Sequence, residues 1–118
     1  KRTADFVVIE GAHAGGHLGF SREELAHLYE PDYEANYDDE IRRIIACVHE
    51  YGEKYGVHIP VITAGGIMNA RQVQHAFALG TEGVQVATPF VTTEECDAAP
   101  AYKQAYVNAK TLRSLQVR

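Results

Sequence analysis

At 118 residues the chain has room for one compact domain and not for two, and its 46% apolar and 23% charged content belongs to a globular protein rather than a disordered or collagenous one. Eleven basic residues against sixteen acidic ones, scattered rather than striped, give −5 and speak against nucleic acid or an anionic membrane as a partner. Cys47 and Cys96 are too few for a disulfide framework or a CxxC metal site and read as reduced thiols, and no apolar run nears the ~18 residues of a membrane span, so the cytoplasm is the expected location.

Residues 5–9 contain Phe6-Val7-Val8-Ile9, a continuous apolar run that reads as a strand buried on both faces, the kind found in parallel sheets covered by helices. From 11 to 37 glycine and polar residues dominate, and the stretch reads as a long functional loop with one helical turn, SREEL, capped by Ser21. Residues 38–55 set Ile41, Ile44, Ile45 and Val48 on one helical face, with Asp38, Asp39 and Glu40 favouring the N-terminus and Gly56 closing the helix. A second strand is predicted over 58–63, around Ile59-Pro60-Val61-Ile62, and Ala64-Gly65-Gly66 follows at once. Asn69 caps a helix through Leu79, with Val73, Ala76 and Phe77 on its apolar side and Gly80 behind it. Residues 83–87 form a third strand, Thr92 or Thr93 caps a turn containing Glu94 and Glu95, and Pro100 opens a helix through 110. The tail 111–118 alternates weakly, as the start of a further strand does.

Strands alternating with helices in this way imply right-handed βαβ units and a parallel sheet. Three strands cannot close a barrel, which takes eight strands and typically about 250 residues. The chain also starts at Lys1 without an initiator Met, and a strand begins almost immediately. Residues 1–118 are therefore expected to be a single unit, either a small open α/β domain or an incomplete fragment of a larger barrel.

Two glycine-rich features fall just after strands: Gly11 with Gly15-Gly16, and Gly65-Gly66. Glycine there admits positive φ and lets a ligand approach backbone N–H groups, although a tight strand-to-helix turn needs it as well. The third strand ends in Gln85, Val86, Ala87 and Thr88, which add an amide, backbone donors and a hydroxyl. Three such strand ends together favour binding of a phosphorylated ligand over three independent turns. His13 and His17 lie four apart in HAGGH, but Gly15-Gly16 argues against the helix that would bring both rings to one metal, so no metal site is expected. His17 can act as a proton donor or acceptor, or order its loop by bonding to backbone; spacing alone leaves both open. His27, His49, His58 and His75 read as structural or exposed. Glu30, Asp32 and Glu34, interleaved with Tyr29, Tyr33 and Tyr37, read as a solvated face, with the rim of a pocket as the alternative.

EGAHAGGHLG at residues 10–19, then IPVITAGGI, LGTEGVQVATPF and EECDAAPAYKQAY, in this order and at these separations, strongly resemble the nitronate monooxygenase family of 2-nitropropane dioxygenase-like flavin oxidoreductases. The resemblance runs from about residue 4 to residue 110 and implies parallel βα units from the C-terminal portion of a TIM (β/α)8 barrel. It implies non-covalent FMN and oxidation of alkyl nitronates with O2, or, in relatives, flavin reduction by NAD(P)H. By motif, His17 resembles the catalytic histidine beside the flavin, Gly15 and its neighbour Gly16 lie against the cofactor, Gly65 and Gly66 form a phosphate-binding turn, and Gln85, Val86, Ala87 and Thr88 wrap the phosphate. Glu10, also expected at the cofactor, stands where many members have Gln. His13 replaces a common Glu, and Ala87-Thr88-Pro89 replaces the commoner Gly-Thr-Arg, which adds a methyl group and removes a positive charge near the phosphate.

The expected activity is that of an FMN-dependent oxidoreductase of the nitronate monooxygenase type acting on a small molecule. A flavin-dependent NAD(P)H enoyl-acyl-carrier-protein reductase is the enzyme alternative, since its AGGH loop is similar. The non-enzyme alternative is a truncated barrel fragment with only a residual phosphate-binding or packing role, inactive alone and prone to self-association through unpaired sheet edges.

Overall fold

The computed structural model describes residues 4–14 and 19–109, so the expectations for Gly15, Gly16, His17 and the tail 111–118 lie outside the described residues. Three strands, β1 (Val7–Glu10), β2 (Val61–Ala64) and β3 (Gly83–Gln85), form one parallel sheet in the order β1-β2-β3. Between and after them come α1 (Arg22–Ala26), a 3-10 turn (His27–Tyr29), α2 (Tyr33–Tyr55), α3 (Ala70–Ala78), α4 (Thr88–Val91) and α5 (Pro100–Asn108). The alternation expected from the sequence is present, with α2 crossing from β1 to β2 and α3 from β2 to β3. No described helix is long and apolar enough to cross a membrane.

One side of the sheet builds the core. Ile9 and Val61 pack with Ile41 and Ile45 of α2 and with Leu79 at the end of α3, while Tyr37, Ile44 and Val48 close the edges. The i, i+3, i+4 stripe on α2 thus does what its spacing implies, and Val61 at the centre has no exposed surface. The helix ends also follow the sequence. Ser21 and Glu24 form a reciprocal capping box, Oγ accepting from the Glu24 N–H at 3.2 Å and the carboxylate from the Ser21 N–H at 2.7 Å. The same bond lowers the Glu24 carboxyl below its ordinary range. Asn69 accepts from the Gln72 N–H at 3.1 Å, and Gly56 ends α2 in the left-handed region at φ 66.

Four expectations need correction. First, β1 is buried on one face only: Phe6 is 56% and Val8 38% exposed. The Phe6 and Val8 side chains are thus left uncovered, so an apolar run that fits a two-sided strand is half exposed here. Second, α2 begins at Tyr33, five residues before the acidic cluster that marks its expected start. Tyr33 and Tyr37 stack one turn apart, ring planes 7° from parallel, and this packing carries the helix back through what reads as loop. Third, Phe77 is half exposed, while Ala76 and Leu79 make the buried side of α3. Fourth, β3 stops at Gln85, and Thr88–Val91 turn into a short helix instead. The Thr92 and Thr93 hydroxyls donate back to the Pro89 and Phe90 carbonyls, at 3.4 and 2.9 Å, and do not cap a turn beyond.

Candidate functional site

Glu10, Ala64 and Gln85 are register partners across the three strands. Partners in a parallel sheet share a face and neighbours along a strand alternate, so these three form a row on the side opposite the Ile9–Val61 core. The row stands at the C-terminal edge of the sheet, where the chain leaves each strand. It borders a cavity of about 360 Å³ that also takes in His13, Gly65, Gly66, Ala87 and Thr88. Of the residues the sequence singles out, the structure therefore brings together Glu10, Gly65, Gly66, Gln85, Ala87 and Thr88. Val86 is half-buried and does not line the cavity.

The glycine turn explains how the first two strand ends meet. Gly11 donates to the Ala64 carbonyl at 3.0 Å, extending the β1–β2 ladder, and Ala14 folds back on the Gly11 carbonyl at 3.0 Å. Gly65 and Gly66 then pass beneath this loop at φ 92 and 72. A Cβ on Gly66 would lie 2.8 Å from that of His13, and one on Gly65 3.0 Å from the Ala14 nitrogen. Loop packing thus requires glycine at both positions, and the same geometry leaves backbone donors bare. Among the described residues, no backbone carbonyl accepts from the Gly66 or Ile67 N–H.

A second cavity, of about 330 Å³, lies behind His13 between α2 and α3 and is lined by Glu34, Tyr37, Asp38, Thr63 and His75. Of the acidic and tyrosine run, Glu34 and Tyr37 line this pocket, while Tyr29, Glu30 and Asp32 are exposed, as a solvated face requires. The His13 ring meets the Tyr33 ring edge-on, centroids 6.1 Å apart, and its Nε2 faces Glu34 at 3.7 Å. His75 Nε2 reaches both oxygens of Asp38 at 2.9 and 3.0 Å, tying α3 to α2. Burial pushes the Tyr37 phenol up to about 12, with Tyr33, Glu34, Asp38 and Glu10 adding to the shift. Tyr33 is raised too, by burial first and Glu34 second, against a backbone hydrogen bond from Ala12. Two side-chain atoms here, His13 Nδ1 and Thr63 Oγ1, are buried without a hydrogen-bond partner among the described residues.

Sequence reasoning gave no site role to Tyr102 and Tyr106 of α5, which line the strand-end cavity. Their hydroxyls are 2.9 Å apart, and this bond, then burial, raises the Tyr106 phenol. Lys103 ties α5 down by donating to the Thr93 carbonyl at 2.7 Å. The available signal was two tyrosines four apart on one helical face, and nothing local indicates what that face meets.

Comparison with known proteins adds to this geometry. A family model described as nitronate monooxygenase matches residues 1–117. A probable nitronate monooxygenase of Staphylococcus saprophyticus is 33% identical over 106 residues, covering 90% of this chain and 26% of the relative. One from Staphylococcus aureus is 34% identical over 110 residues, 93% of this chain and 27% of the relative. The chain therefore spans about a quarter of the length of these curated relatives. Among solved structures, a FabK point mutant from Thermotoga maritima aligns with a TM-score of 0.60 at 35% identity, over 90% of this chain and 28% of that one. The parallel βα units are those of a TIM barrel.

Proposed function

Because this chain belongs to the nitronate monooxygenase family, we propose that residues 1–118 form one unit of a larger TIM barrel that binds FMN at the strand-end cavity and oxidises alkyl nitronates with O2. The observation that carries the reading is the convergence of three consecutive parallel strand ends on one cavity. That edge is where barrels of this kind hold their ligands.

The residues present fit the phosphate end of FMN. The Gly65-Gly66 turn lines the cavity, the Gly66 and Ile67 N–H groups have no backbone acceptor among the described residues, and Gln85 and Thr88 line the same space. Gly65, Gly66, Gln85, Ala87 and Thr88 would hold the phosphate, with Val86 supplying backbone; Gly15 and Gly16 would lie against the ring system. FMN, when bound, supplies the exchange of electrons with the substrate. The protein binds and orients it, and His17 handles the proton on the substrate side. Glu10 would bring a carboxylate to the cavity where many relatives have an amide. Tyr102 and Tyr106, joined through their hydroxyls, line the same cavity.

The likeness to FabK supports a second reading, an enoyl-acyl-carrier-protein reductase in which NAD(P)H reduces the flavin and an enoyl thioester receives hydride. The full-length protein separates the two. Oxygen uptake with an alkyl nitronate, without NAD(P)H, is the expected result. Absence of nitronate turnover sinks the first reading, and thioester-dependent NAD(P)H oxidation establishes the second.

A further inference from the structure

Tyr102 and Tyr106 stand one turn apart on α5 and share the wall of the strand-end cavity with the Gly65-Gly66 turn, Gln85 and Thr88. Lys103, next to Tyr102 in the chain, donates to the Thr93 carbonyl at 2.7 Å. That bond ties α5 to the chain segment leaving β3, the strand whose end supplies Gln85, Ala87 and Thr88 to the same cavity. The two rings meet at 65°, centroids 5.1 Å apart, and their hydroxyl oxygens are 2.9 Å apart.

A pair of hydroxyls has two hydrogens and uses one of them between its oxygens. The other is left for an acceptor outside the pair, and the hydroxyl that already accepts is the stronger donor. The bond to Tyr102, ahead of burial, raises the Tyr106 phenol, as donation from Tyr106 to Tyr102 does. The spare hydrogen is then on Tyr102, the more exposed ring at 52%, while Tyr106 is half-buried. Among the described residues, no group other than Tyr106 hydrogen-bonds the Tyr102 hydroxyl. The described lining of the cavity also holds no Lys or Arg, so a phosphate there draws on hydrogen-bond donors rather than on either of those charges.

We propose that Tyr102 is a cofactor-binding residue whose hydroxyl donates to the FMN phosphate, with Tyr106 behind it fixing that hydroxyl as a donor. An O–H given to an anionic oxygen is charge-assisted and roughly twice as strong as a neutral bond. The inference rests on the strand-end cavity being the FMN site, and it extends the phosphate cradle from the strand ends to a helix that follows them.

Phe keeps the ring and removes only the hydroxyl, so Tyr102→Phe and Tyr106→Phe test the bonds with the packing retained. The full-length protein is titrated with FMN and with riboflavin, which lacks the phosphate, and binding is read by quenching of flavin fluorescence. Tyr102→Phe should bind FMN about 10-fold more weakly than the wild type, and riboflavin within roughly threefold of it. Tyr106→Phe leaves the outer hydroxyl in place, so its FMN affinity should fall by about threefold or less. Thermal unfolding of each apoprotein verifies that both variants fold. Wild-type protein that binds FMN no more tightly than riboflavin would bring down the phosphate reading of the cavity, and this proposal with it. If the wild type prefers FMN and Tyr102→Phe keeps that preference in full, only the role of Tyr102 is overturned. Loss of FMN and riboflavin affinity by the same factor overturns it too, because the hydroxyl would then act on something other than the phosphate. A larger FMN loss in Tyr106→Phe than in Tyr102→Phe would overturn the assignment of the outer donor to Tyr102.

Discussion

On the side of the sheet that meets α2 and α3, Ile9, Val61 and Thr63 are buried, whereas on the opposite side Val8, Glu10 and Gln85 are exposed. The two sides come from the same three short strands, one residue out of phase. The first takes its character from helices that the sequence supplies on either side of β2, and its only buried polar side chain among the strands is Thr63. The second ends in a row of polar and small side chains above a glycine turn that a Cβ would obstruct. Stability and the proposed ligand binding are therefore separable in these βα units: one face holds the strands in place, and the edge of the other is free to vary its chemistry.

That separation can be broken from either side. The largest effect is expected from Ile41→Ala, which removes a side chain 3% exposed from the centre of the helix-side cluster. It should lower the unfolding free energy by roughly 2–5 kcal/mol in denaturant titration, while the protein that remains folded binds FMN as before. Next comes His17→Ala, for which turnover of an alkyl nitronate should fall by about 10²-fold or more with FMN still bound, the scale of a lost acid or base. Unchanged turnover would remove His17 from the role proposed for it.

Gly66→Ala links the two sides. At φ 72 a side chain is strained wherever it sits, and here the new methyl group meets His13. A stability loss of about 1–3 kcal/mol is expected, and FMN affinity should fall with it because the turn must move. Stability lost without any change in FMN affinity would assign Gly66 to loop packing alone.

The smallest effect is on pH dependence. The Tyr37 phenol is pushed up to about 12 in the folded protein, so the folded state holds this proton more tightly than the unfolded chain does. Its contribution to stability is fully present below the ordinary tyrosine range near pH 10 and is lost as pH rises toward 12. Tyr37→Phe should flatten the alkaline decline in stability seen by denaturant unfolding above about pH 10, and leave neutral stability nearly unchanged.

The parts that the sequence made legible are those set by short-range rules. The 3.6 periodicity of Ile41, Ile45 and Val48 gave α2 its buried face, Ser21 and Asn69 marked two helix starts, and Gly65-Gly66 marked a strand end. The start of α2 was not legible, because Asp38-Asp39-Glu40 is a good N-terminal signal in its own right, and the stacking of Tyr33 on Tyr37 that overrides it is a tertiary matter. The open face of β1 was not legible either, since Phe6-Val7-Val8-Ile9 has the same composition whether or not a second layer covers it. Within the site, the convergence of Glu10, Gly65, Gln85 and Thr88 followed from their common position at or just after strand ends. The bracing of His13 by Tyr33 and Glu34 joins residues about twenty apart, and no local pattern carries it.

The central claim is that one FMN phosphate occupies the edge where β2 and β3 end. A crystal structure of the full-length protein with FMN bound tests it most directly. The account predicts the phosphate between the Gly65-Gly66 turn and the Gln85 to Thr88 segment. A flavin whose phosphate lies elsewhere in the molecule, with this edge holding only solvent, would contradict it.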